Sequence, residues 1–135
     1  MKDRARAAQR ILGVQKKLHQ LEELKFVQLQ QRLAEIEREQ RELTLALSDD
    51  GALHSLFIDM TVRRLKALRQ EADRLSQDIA ERARSLIQHA GRLRHAERLA
   101  GALDLELRRA GERAELEEVL DLSVARGDAS LKQDG

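Results

Sequence analysis

From Ile58 onward one position in seven is apolar without exception: Ile58, Leu65, Ala72, Ile79, Leu86, Leu93, Ala100, Leu107 and Ala114. The companion positions, Leu68, Leu75, Arg82, His89, Ala96, Leu103 and Ala110, are apolar except at Arg82 and His89, which are neighbours in the repeat. A heptad sustained this long places its apolar residues along one stripe of a helix, and a stripe of that width is buried by a second helix. The sequence therefore predicts an all-α coiled coil.

Composition leaves little room for anything else. Among 135 residues only Phe26 and Phe57 are aromatic, Pro and Cys are absent, and 25 Lys and Arg stand against 24 Asp and Glu. A thick globular core draws much of its burial from large rings, which are missing here. No apolar run reaches the roughly 18 residues of a membrane span, and Met1 to Arg10 has no hydrophobic signal region. The expectation is a cytoplasmic protein. The net charge of +1 is unevenly spread. Residues 1–17 carry six positive charges against one negative, or +5, whereas residues 115–135 carry two against six, or −4.

Before residue 100 the turn-forming residues gather at one place, Ser48-Asp49-Asp50-Gly51. Such residues tolerate turn backbone and cap the helix that follows. The expected layout is helix 1 over about 3–47, a turn at 48–51, helix 2 over about 52–125, and a flexible tail at 127–135, with 1–126 forming one antiparallel coiled-coil hairpin of unequal arms. On helix 1 the apolar stripe is read through Ile11, Val14, Leu18 and Leu21, then, after a stutter, through Leu29, Leu33, Ile36, Leu43 and Leu47. A turn centred near residue 49.5 pairs Leu65 with Leu33, Leu68 with Leu29, Ala72 with Phe26, and Leu86 with Val14. Residues 98–125 then have no partner within the chain, and a bare heptad seam calls for one.

The residue types needed for chemistry are scarce. The chain has no Cys or Tyr, no phosphate-binding glycine loop and no nucleophile elbow. His19, His54, His89 and His95 include no i, i+4 pair that would aim two imidazoles at one metal. No catalytic residue, cofactor site or metal site is expected. His89 and Arg82 instead predict a polar level in the seam with Arg10 and Lys17 nearby, where either the two helices splay or an acidic partner neutralises the charge. Eight Arg between residues 82 and 113 against four acids form a stripe on which phosphates could track, the basis of a nucleic-acid-binding alternative.

The segment Arg108 to Leu122, R-R-A-G-E-R-A-E-L-E-E-V-L-D-L, together with the basic leading helix from Arg4 to Leu33, resembles FliJ and its virulence-system counterpart YscO. The likeness spans nearly the whole chain. It implies a non-enzymatic stalk of the flagellar or type III secretion export apparatus, whose paired termini enter the pore of a hexameric export ATPase. It also implies contacts with the export gate, where the protein would be peripheral to the membrane, and with export chaperones. Carried onto this sequence, the ring-contacting residues are Arg4, Arg6, Arg10, Arg108, Arg109, Arg113, Leu116 and Leu120, and the gate-contacting stretch falls around Phe57 to Arg69. The other reading from the residues themselves is a homo-oligomeric scaffold in which 98–125 pairs with itself.

Overall fold

The computed structural model describes residues 2–49 and 55–134, with side chains through Ala129. It contains two helices, α1 (Lys2–Ser48) and α2 (Ser55–Asp134), packed antiparallel along a heptad seam, with α2 the longer. Asp49 leaves the helix at the expected corner, its amide donating to the Ala46 carbonyl at 3.4 Å. The hydroxyls of Thr44 and Ser48 donate one turn back, to Gln40 and Thr44 carbonyls at 2.7 and 3.0 Å, occupying backbone acceptors at the end of α1. The remaining turn residues and the expected start of helix 2 at 52 lie outside the described residues.

The chain divides into two compact units: Lys16–Arg92 forms one, and Met1–Gln15 with Leu93–Gly135 forms the other. Helix continues through Asp134, past Gly127, where a flexible tail was expected. Without a proline nothing blocks the backbone hydrogen-bond ladder, and an exposed Gly costs a helix only about 1 kcal/mol.

In the unit Lys16–Arg92, α2 buries or half-buries Ile58, Thr61, Leu65, Leu68, Ala72, Leu75, Ile79, Arg82, Leu86 and His89, the predicted seam with Thr61 added. The partner seam of α1 is His19, Glu22, Phe26, Leu29, Leu33, Ile36, Gln40, Leu43 and Leu47, stepping by three and four without a stutter. Leu18 and Leu21, assigned to the seam from sequence, lie on a stripe one residue earlier and are exposed. The seam at that level is polar, and the more apolar stripe beside it attracted the wrong assignment.

Three interhelical ion pairs fix the register: Arg82 with Glu22 at 2.9 Å, Arg32 with Glu71 at 3.0 Å, and Arg64 with Glu39 at 2.9 Å. The residue numbers of each pair total 103 or 104, so residue i of α1 lies level with about 104 − i of α2. The sequence pairing near 99 − i is therefore out by more than one helical turn. Phe26 is level with Ile79, and Leu33, not Phe26, is level with Ala72. The deepest level is Ile36 with Leu68, both with no exposed surface.

In the other unit the buried residues are Ala5 and Ala8 of α1 and Ala96 and Ala100 of α2, flanked by half-buried Leu12, Leu93 and Leu103. These small residues keep the same heptad spacing and the same level. Ile11 and Val14 again sit one residue off the seam and are about half exposed.

Candidate partner-binding surface

The eight residues singled out from sequence all fall in the unit formed by Met1–Gln15 and Leu93–Gly135, and all are exposed. They form two zones rather than one. Arg6 and Arg10 line an open groove of about 520 Å³ with Lys2, Ala5, Gln9, Asp104 and Leu107, which brings the start of α1 against α2. Arg108 reaches back one turn to Asp104 at 3.0 Å, and Arg113 donates through Nε to the Arg109 carbonyl at 3.4 Å. Arg4 is exposed as well. Arg108, Arg109 and Arg113 lie on α2 beyond the level of Lys2, so the six Arg form a basic stretch from the start of α1 onto the bare end of α2.

Leu116 and Leu120 lie beyond it. Since α1 begins at Lys2, level with about residue 102, Leu116 stands roughly 21 Å farther along α2 at 1.5 Å per residue. Burial along α2 continues through Leu103, Asp104, Leu107 and Ala110, then ceases: every residue from 111 to 129 is exposed. The bare segment thus starts at about 111, not at 98. It presents Leu116, Val119 and Leu120 on one face, each between 55 and 59% exposed, with Glu115, Glu117 and Asp121 flanking them. Arg109, Glu112, Arg113 and Leu116 line a shallow groove at its base. Val119 and the acidic flank were within reach of sequence reasoning, because helical spacing from Leu116 places them there.

The polar level predicted at Arg82 and His89 is present, and the acid that neutralises it comes from the chain itself. Arg82 donates through Nη1 to both carboxylate oxygens of Glu22, at 2.9 and 3.1 Å. That hydrogen bond holds the Glu22 carboxyl below its ordinary value, against the opposing effect of burial, with Lys25 and His89 adding to the lowering. His19 Nε2 lies 2.8 Å from Glu23, while the Nδ1 atoms of His19 and His89 are buried without a hydrogen-bond partner. The expected neighbours Arg10 and Lys17 are exposed residues off the seam.

Elsewhere Arg64 holds Glu39 below the usual carboxylate range, and Glu71 with Glu35 raises Arg32. In the stretch Phe57 to Arg69, Leu65 and Leu68 are committed to the seam, leaving Phe57 and Met60 exposed. Of the eight Arg between 82 and 113, Arg82 and Arg108 already hold carboxylates. Among the described residues no group of three His, Cys, Asp or Glu can hold a metal ion, and no helix is long and apolar enough to cross a membrane.

Comparison with family models, with curated proteins and with solved structures gave no match.

Proposed function

We propose that this chain is a non-enzymatic stalk or adaptor of a flagellar or type III secretion export apparatus, acting in the cytoplasm and docking its bare α2 end into a hexameric export ATPase. One observation carries the reading: α2 outruns its seam, so residues 111–129 expose Leu116, Val119 and Leu120 with nothing among the described residues to cover them. A contiguous apolar face of this kind marks an interaction site. A ring supplies a wall on all sides of a single helix, and the basic stretch of Arg4, Arg6, Arg10, Arg108, Arg109 and Arg113 would meet its rim. Export gate and chaperones are the further partners that the family resemblance implies, with Phe57 and Met60 available at the other unit for such contacts.

The test is capture of a hexameric export ATPase by the purified chain. Leu116→Asp with Leu120→Asp removes the apolar contact and should abolish capture while leaving helicity intact. No binding by the parent chain retires the proposal.

A further inference from the structure

The unit that contains the bare end of α2 also contains a surface that fits it. Residues 2–15 of α1 carry Lys2, Arg4, Arg6 and Arg10 against Asp3, a net +3, and expose Ile11 and Val14 on a face away from the seam. Ala7, Arg10, Ile11, Val14 and Gln15 line a shallow groove along this face. Residues 111–129 carry six acids against Arg113 and Arg126, a net −4, around Leu116, Val119 and Leu120. One surface is an apolar ridge with acidic flanks; the other is an apolar groove with basic flanks.

The two cannot meet within one molecule. Ile11 lies level with Leu93, and α2 continues as unbroken helix, so Leu116 stands 23 residues farther on, roughly 35 Å away at 1.5 Å per residue. We infer that the occupant of each surface is a second copy of this chain: the α2 end of one protomer lies along the Ile11–Val14 face of its partner, and the reverse contact forms by two-fold symmetry. An isologous pairing uses both surfaces twice and leaves neither bare. Pairing of two α2 ends with each other is disfavoured, because it sets −4 against −4 around the contact. Overlap of the two ends places the acidic flank beside Arg10 of the partner, which borders the stripe, with Arg4 two turns before Ile11 on the same face.

This inference is independent of the stalk proposal, although the two compete for Leu116 and Leu120: the dimer is the form of the free protein, and a ring partner would displace it. The experiment uses the full-length chain alone, in sedimentation equilibrium at low salt. The parent should show a reversible monomer–dimer equilibrium that weakens as salt rises. Leu116→Asp with Leu120→Asp, and separately Ile11→Asp with Val14→Asp, should each raise the dimer Kd by roughly a hundredfold or more, with unchanged helicity. Reversal of the acidic flank alone, Glu115, Glu117 and Asp121→Lys, should weaken the dimer similarly. Adding Arg4, Arg6 and Arg10→Glu in the same chain should restore it. A parent that stays monomeric at all concentrations overturns the inference. So does a charge-reversed α2 end that dimerises as well as the parent, or a combined reversal that fails to recover. Capture of the export ATPase is a separate measurement, so loss of that binding leaves the dimer result standing.

Discussion

Replacing Leu68 by Ala tests the seam where it is deepest. Leu68 has no exposed surface and is level with Ile36, which has none either. The substitution removes three buried carbons, or about 2.4 kcal/mol at ~0.8 kcal/mol each. A cavity contribution adds to this, but two helices close on a void more readily than a full core does, so the sum is about 3 kcal/mol, toward the lower half of the Leu→Ala range. For a protein of this size that lowers the thermal midpoint by roughly 10 °C. The control is Leu21→Ala, which truncates the same side chain at a position 52% exposed on the neighbouring stripe. It should cost less than about 0.5 kcal/mol, as surface substitutions do. Thermal and urea unfolding followed by ellipticity at the helix band measure both. The assignment of the α1 seam is wrong if Leu21→Ala costs as much as Leu68→Ala, or if Leu68→Ala lies within 1 kcal/mol of the parent, below the ~2 kcal/mol floor for a buried Leu.

Glu22 and Glu39 are held below the ordinary carboxylate value of 4.5 by Arg82 and Arg64. Unfolded carboxyls therefore bind protons first, so this stability is present above pH 4.5 and fades as pH falls through the folded values. Unfolding midpoints measured down that range should fall more steeply for the parent than for Glu22→Gln with Glu39→Gln. His89→Leu removes a buried, unpartnered Nδ1 from a heptad position and should stabilise the chain by about 1 kcal/mol in urea unfolding. Gly91→Ala should add about 0.5–1 kcal/mol, since an added methyl meets nothing within 4 Å and the helix gains propensity. Amides of residues 111–129, which have no covering contacts, should exchange with deuterium sooner than those of 58–89.

How much of this was legible in the sequence depends on which helix is read. Along α2 the seam from Ile58 to Ala110 followed from the heptad alone, including the polar positions Arg82 and His89, because apolar residues before and after them pin the phase. Along α1 the phase was ambiguous. Ile11, Val14, Leu18 and Leu21 make a cleaner apolar stripe than Leu12, Gln15, His19 and Glu22, yet burial follows the second set. The difference is decided by continuity: only the phase through Phe26, Leu29, Leu33 and Ile36 runs without a stutter, and an unbroken seam keeps every level in contact. Register was not legible because a heptad fixes which face of each helix is buried, not which residue of α1 stands level with which residue of α2. Once it is known, Glu22 falls opposite Arg82, and the charge problem at that level disappears. The candidate surface was legible as a surplus of α2 over α1. Its acidic flanks follow from helical spacing around Leu116, whereas its start at 111 needed the coordinates, because it depends on how far burial by α1 extends along α2.

The alanines at the start of α1 have a mechanical consequence. Ala5, Ala8, Ala96 and Ala100 are nearly fully covered, but each contributes a single methyl. At ~0.8 kcal/mol apiece, the four together hold about as tightly as Leu68 does alone. The opening two turns of α1, which carry Arg4 and Arg6, are thus fastened by a light latch. They can peel away at small cost when a partner grips them, and snap shut again when it lets go.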